Sequence, residues 1–145
     1  MPALKYRILQ RVVLTCVSVF TVISAYGDIA VVVHPSNTTA LDKSALERIY
    51  MGKTNNLNNG RAALPINATK GAATRAEFNK LVIERSDAQI NAYWSKLLFT
   101  GKGTPPKELA TDQEIIATVS ANEDAVGYVD SSAVTDNVKV VATFQ

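Results

Sequence analysis

Residues 69–75, Thr69-Lys70-Gly71-Ala72-Ala73-Thr74-Arg75, are where this chain has groups and spacing suited to chemistry. They follow a short apolar run over 62–66 and Asn67, and they open a segment with Phe78, Leu81 and Val82 at helical spacing. A strand that turns through small residues into a helix leaves the first helical N–H groups without intrahelical partners. Those donors, with the positive end of the helix dipole, form an anion site that needs no metal or cofactor. The candidate ligand-binding residues are therefore Thr69, Lys70, Gly71, Ala72, Ala73, Thr74 and Arg75. The backbone supplies amides, Thr74 a hydroxyl, and Lys70 or Arg75 a cation. A plain helix start capped by Thr69 or Thr74 is the competing reading of the same residues.

A second polar loop, Ser36, Asn37, Thr38 and Thr39, follows the first apolar run. Ligands of open α/β sheets bind beyond strand carboxyl ends. On that ground Ser36, Asn37 and Thr38 are expected to face the first turn and add hydroxyl and amide donors, against the alternative of an ordinary polar turn. Catalysis finds no such grouping: one histidine, His34, and no Gly-x-Ser-x-Gly elbow leave no nucleophile, base and orienting group to nominate. No catalytic residue, no metal ligand and no cofactor is expected. Trp94, with Tyr93 and Leu97, reads as core.

The elements that must position these groups follow from periodicity. Residues 28–34 form a valine-rich run suited to a strand buried on both faces. Asp42 is an N-cap for a helix to about residue 51, which Gly52 ends. A short strand is predicted over 62–66, weakened by Pro65, and a helix over 72–84. Ser86-Asp87-Ala88-Gln89 is a capping box for the next helix, whose stripe is Ile90, Tyr93, Trp94, Leu97 and Leu98. Residues 100–106 break the chain. Thr111-Asp112-Gln113-Glu114 is a second capping box, and strands are predicted over 125–129 and 138–141. The order β-α-β-α-α-α-β-β gives a single α/β domain of two or three layers.

The first residues do not belong to that domain. Lys5, Arg7 and Arg11 precede an apolar stretch over 12–25, and Ala25-Tyr26-Gly27 is a small-x-small cleavage pattern. This is the layout of a secretory signal peptide over 1–27, with the domain over 28–145 and Asp28 its first residue. The apolar run is shorter than the roughly 20 residues a spanning helix needs. Cys16, the one cysteine, falls inside the leader. The chain carries 15 Lys+Arg against 13 Asp+Glu, and loss of the three leader cations leaves 12 against 13. A net charge of −1 offers no basic footprint for nucleic acid. Without cysteine the mature chain has neither a disulfide framework nor a thiolate site.

Several segments together resemble a known family. They are residues 29–37 (Ile-Ala-Val-Val-Val-His-Pro-Ser-Asn), the helix ending in Tyr50-Met51-Gly52-Lys53, and Leu64-Pro65-Ile66-Asn67 with Thr74-Arg75-Ala76-Glu77-Phe78. Ala92-Tyr93-Trp94, Phe99-Thr100-Gly101-Lys102-Gly103 and Ala125-Val126-Gly127-Tyr128-Val129 complete the set. In order and spacing the chain resembles the phosphate-type solute-binding proteins of ABC transporters. The resemblance implies a fold like one lobe of a type II periplasmic binding protein. It also implies a periplasmic or secreted, non-enzymatic protein that binds phosphate or a similar small oxyanion. Implied partners are an ABC-type permease or a membrane sensor, with a second copy as another cover for the lobe. The family's anion loop has an Arg and then Ser-Gly-Thr at the helix start. Here Asn67 stands in the Arg position, Ala72 and Ala73 replace Ser and Gly, and Thr74 with Arg75 is kept. That departure leads to a second expectation: an interaction or sensor module that docks on a membrane receptor or transporter with little anion binding.

Overall fold

The structure, a computed structural model, describes residues 27–145. The expected leader, with Cys16 and its three cations, lies outside the described residues except for Gly27. Five strands form one sheet: β1 (Ile29–Val33), β2 (Leu64–Ala68), β3 (Lys107–Leu109), β4 (Ala125–Asp130) and β5 (Lys139–Phe144). Their order is β3-β2-β4-β1-β5. Strand β2 runs parallel to β3 and β4, whereas β1 is antiparallel to both β4 and β5. Val31, Val32 and Val33 are fully buried, as an unbroken apolar strand at the centre of a sheet requires.

Four α-helices cover it: α1 (Lys43–Tyr50), α2 (Ala73–Phe78), α3 (Asp87–Phe99) and α4 (Asp112–Ala121). Successive strand residues point to opposite faces, and β4 shows what packs on each. A Cβ at Gly127 would lie 2.7 Å from Ile115 and 3.3 Å from Val119, so α4 presses directly on that face. On the other face Tyr128 stacks on Phe78 at 3.9 Å between ring centroids, with Tyr50 of α1 edge-on to Phe78 at 4.8 Å. Helices on both faces make the domain three-layered.

Local signals set most helix ends. Asp42 accepts from Ala45 N, and Ser86 and Gln89 form the reciprocal box expected for α3. The second box is only half formed: Thr111 accepts from Glu114 N, but the Glu114 carboxylate turns to Ala110 N at 2.9 Å. Strand β2 lies two residues later than periodicity suggests. Leu64 N donates to Asp124 O on the β4 side. The missing N–H of Pro65 therefore falls on the β3 side, before that pairing begins at Ile66. The helix expected over 72–84 is α2 followed by a π-helical segment, Asn79–Ile83, which ends at Glu84 with φ 57°.

Candidate functional site

The turn after β2 is held from below. Thr69 N donates to Leu109 O of β3, and Ala72 N returns to Thr69 O at 3.1 Å. Lys70 and Gly71 sit at the centre of this β-turn, and Gly71 has φ 85°. A positive φ at that position is the mark of a type II turn and favours glycine. No atom lies within 4 Å of where a Gly71 side chain would begin, so conformation rather than space demands the glycine. Ala72 is the N-cap of α2 and supplies no side-chain cap. Ala76 N bonds Ala72 O, and the amides of Ala73, Thr74 and Arg75 have no hydrogen-bond partner among the described residues. Gly71 and Ala73 are exposed, and Thr74 is half-buried.

The two cations of the turn differ. Lys70 is exposed and makes no ion pair among the described residues. Arg75 points inward and is 3% exposed. Its Nη1 donates to Ala68 O at 3.1 Å and to Glu108 Oε1 at 2.6 Å, and its Nε lies 3.5 Å from Asp87 Oδ1. The Asp87 carboxylate also accepts from the buried Asn79 side chain. Arg75 thus ties the end of β2 to β3 and to the start of α3. Its charge is met by two protein carboxylates, although the buried Nε makes no hydrogen bond among the described residues, and its amide is a free donor at the turn. A cavity of about 180 Å³ lies beside this strut, lined by Asn67, Lys70, Arg75, Trp94, Ser95 and Glu108 among others. Residues 71–74 stand outside that lining.

Beneath the turn, β2 and β4 pair only at Leu64↔Ala125 and Pro65↔Val126. Where the ladder stops, two tyrosines take over. The Tyr50 hydroxyl donates to Ile66 O or Val126 O, at 2.9 and 3.1 Å. The Tyr128 hydroxyl accepts from Ala68 N at 3.1 Å and donates to Asn67 Oδ1. Burial pushes the pKa of both phenols well up, because a buried phenolate loses its hydration. Asn67 is thereby committed to Tyr128.

The second predicted loop is elsewhere. Val33, at the end of β1, pairs with Val126, level with Pro65 near the start of β2. Strand β2 runs away from that point, so the 69–75 turn emerges at the other end of the sheet. Ser36, Asn37 and Thr38 therefore do not face it, contrary to expectation. The cause is the antiparallel direction of β1: the expectation assumed strands whose carboxyl ends share one edge. Ser36 bonds His34 Nδ1, Asn37 donates to Glu123 O and caps Thr39 N, and Thr38 is exposed. The single histidine is part of that turn. Among the described residues no His, Cys, Asp or Glu cluster suits a metal ion.

Sequence reasoning missed Glu108 and Asp87 as partners of Arg75, and Asn79 as a donor to Asp87. The two carboxylates are 33 and 12 residues away, and no local pattern links a buried guanidinium to them. Trp94 is core, as expected, with 8% exposure.

A three-layer α/β lobe with a glycine turn feeding a helix start is the architecture of one half of a periplasmic-binding-protein fold. The chain belongs to the PBP superfamily domain family, whose profile matches residues 18–143. No curated protein matches it. Among solved structures, an ABC-type phosphate transport receptor from Vibrio cholerae is similar with a TM-score of 0.61 and 20% identity, over 80% of this chain and 46% of that one. A structure from Clostridium perfringens, described as a phosphate ABC transporter substrate-binding protein with bound phosphate, gives 0.63 and 23%, over 80% and 45%. The chain thus spans less than half the length of these relatives.

Proposed function

We propose that this chain is an exported, non-enzymatic solute-binding protein for phosphate or a similar small oxyanion, held at the turn after β2. The observation that carries the reading is the set of free amides at Ala73, Thr74 and Arg75, with unpaired Lys70 beside them. Three free N–H donors at a helix start suit an oxyanion, and a single lysine adds charge without a covalent step. Thr69, Gly71 and Ala72 shape the turn, and the Thr74 hydroxyl adds a donor. The phosphate bound in the Clostridium relative supports the ligand class. On this reading the leader is cleaved near Gly27 and the domain works in the periplasm or outside the cell, with an ABC-type permease as partner. A second copy is the alternative cover for the open side. Isothermal titration with phosphate, sulfate and nitrate tests it: heat at millimolar phosphate is expected, and its absence counts against the reading.

A second reading rests on Arg75. With its guanidinium charge paired to Glu108 and Asp87, and with alanines at 72 and 73, the lobe serves as an interaction module for a membrane receptor or sensor. Substituting Thr74 by Ala and Lys70 by Gln separates the two. Loss of anion heat supports the first reading. Pull-down of a permease that needs neither residue, with no anion heat in the native chain, supports the second.

A further inference from the structure

The end of α3 leaves large apolar side chains in solvent. Phe99 is 94% exposed and Leu98 58%. The helix closes there with Gly101 N on Leu98 O and Lys102 N on Leu97 O, and residues 98–102 are all exposed, so the segment projects. Its charge is of one sign. From residue 88 to residue 107 the chain has three lysines, Lys96, Lys102 and Lys107, and no Asp or Glu. None of the three pairs with a carboxylate among the described residues, and the next acid, Glu108, is taken by Arg75.

An aromatic and a leucine flanked by free lysines call for a partner that is both apolar and negative. Two such tips set against each other would oppose like charges, which disfavours a second copy. A protein partner would need a concave apolar socket ringed by acids. An anionic bilayer supplies apolar depth beneath a negative surface to any projecting shape. We propose that this tip docks on an anionic lipid surface. Phe99 and Leu98 enter the boundary between headgroups and acyl chains, and Lys96 and Lys102 reach the lipid phosphates. Two apolar side chains and a few lysines give reversible, peripheral attachment. Among the described residues no helix is long and apolar enough to cross a membrane. Leu98 also lines the cavity that Lys70 and Arg75 line, so the tip adjoins the turn, but the inference needs no anion bound there.

The test places a reporter at the tip. Trp94 is the one tryptophan and is buried, so Phe99→Trp in the full chain adds an exposed indole. Vesicles of phosphatidylcholine with about a third phosphatidylglycerol are prepared with and without brominated acyl chains. Brominated anionic vesicles are expected to quench the Phe99→Trp emission and leave the native emission unchanged. Vesicle binding through any other segment leaves position 99 unquenched. Adding Lys96→Glu and Lys102→Glu should weaken the titration about tenfold or more, as should high salt. Absence of quenching overturns the proposal. So does equal quenching with pure phosphatidylcholine, or a titration indifferent to the charge reversals. Sedimentation showing a dimer that Phe99→Ser dissolves would assign the tip to a second copy and overturn it as well. The exposed position predicts unchanged far-UV circular dichroism for every variant.

Discussion

Replacing Arg75 by Met removes the fork that joins three elements under the turn while keeping a stem of similar length. The loss has two parts. Ala68 O gives up a buried donor, worth about 1 kcal/mol net. Glu108 and Asp87 lose their cation, and stranding a fully buried charge costs about 3–5 kcal/mol. Their side chains are 38% and 42% exposed, however, so water recovers most of that. A charged hydrogen bond at the low end, about 1.5 kcal/mol, is the better figure for the short contact to Glu108. The expected destabilisation is therefore about 2–3 kcal/mol. For a domain of this size about 4 °C of melting temperature accompanies each kcal/mol, so Tm should fall by about 8–12 °C.

Thermal unfolding followed by far-UV circular dichroism, with urea titration as a check on cooperativity, reads this directly. Arg75→Lys, which serves one partner and cannot fork, should lose about half as much. A double-mutant cycle with Glu108→Gln should return a coupling of about 1–2 kcal/mol. A fall of under about 1 kcal/mol for Arg75→Met refutes the strut, and a large fall without coupling to Glu108 moves the cause from charge to packing. The same variant bears on the site. If the amides carry the oxyanion, Arg75→Met below its Tm keeps phosphate affinity within about tenfold of the native value, roughly 1.4 kcal/mol. Complete loss in a folded variant would mean that the guanidinium itself touches the ligand.

Three further outcomes are expected. Tyr50 and Tyr128 are both raised above the ordinary phenol value of about 10. Their contribution is thus intact below that pH and is lost as pH rises beyond it, at about 1.4 kcal/mol per pH unit for each tyrosine; urea midpoints measured up the alkaline range check the slope, and Tyr128→Phe should roughly halve it. At neutral pH Tyr128→Phe leaves Ala68 N and Asn67 Oδ1 short of a partner and should cost about 1–3 kcal/mol in urea unfolding. Gly71→Ala should cost about 1–2 kcal/mol because φ 85° is left-handed, and Gly71→Asn less; anion heat should fall in the same order if the turn holds the ligand.

Local chemistry made much of the domain legible. Asp42, Ser86 with Gln89, and the valines of β1 act over a few residues, and each did in space what its neighbours in sequence imply. Strand β3 escaped because three residues after Pro105 and Pro106 carry no period. The π-helical segment escaped because Leu81 and Val82 fit an α-helical stripe equally well, and only the hydrogen bonds around Asn79 tell the two apart. The 69–75 turn was readable from Gly71 and its flanks. The inward turn of Arg75 was not, since an arginine one turn into a helix has the same local signature whether it faces solvent or two distant carboxylates. Ser36, Asn37 and Thr38 were misplaced for a topological reason. Strand direction in a mixed sheet is decided by long-range pairing, and one antiparallel strand is enough to send a loop to the opposite edge.

The proposed site also sets its own scale of affinity. Lys70, Gly71 and Ala73 are exposed, so the turn is open to solvent among the described residues, and there salt screens what the unpaired lysine adds beyond about 8–10 Å. Arg75 adds little field, because Glu108, which lines the same cavity, and Asp87 behind it return an equal or larger charge. The ligand is left with short-range amide donors and the Thr74 hydroxyl. Relative to a loop bearing a free Arg and a Ser, two charge-assisted bonds are missing. At about 1.5–3 kcal/mol each they amount to two to four decades in affinity. On the proposed reading, capture at the turn is accordingly weak and loses further strength as salt screens Lys70. Tight binding requires a second surface over residues 69–75, and a high-affinity isotherm in the purified chain would show that more than these donors holds the anion.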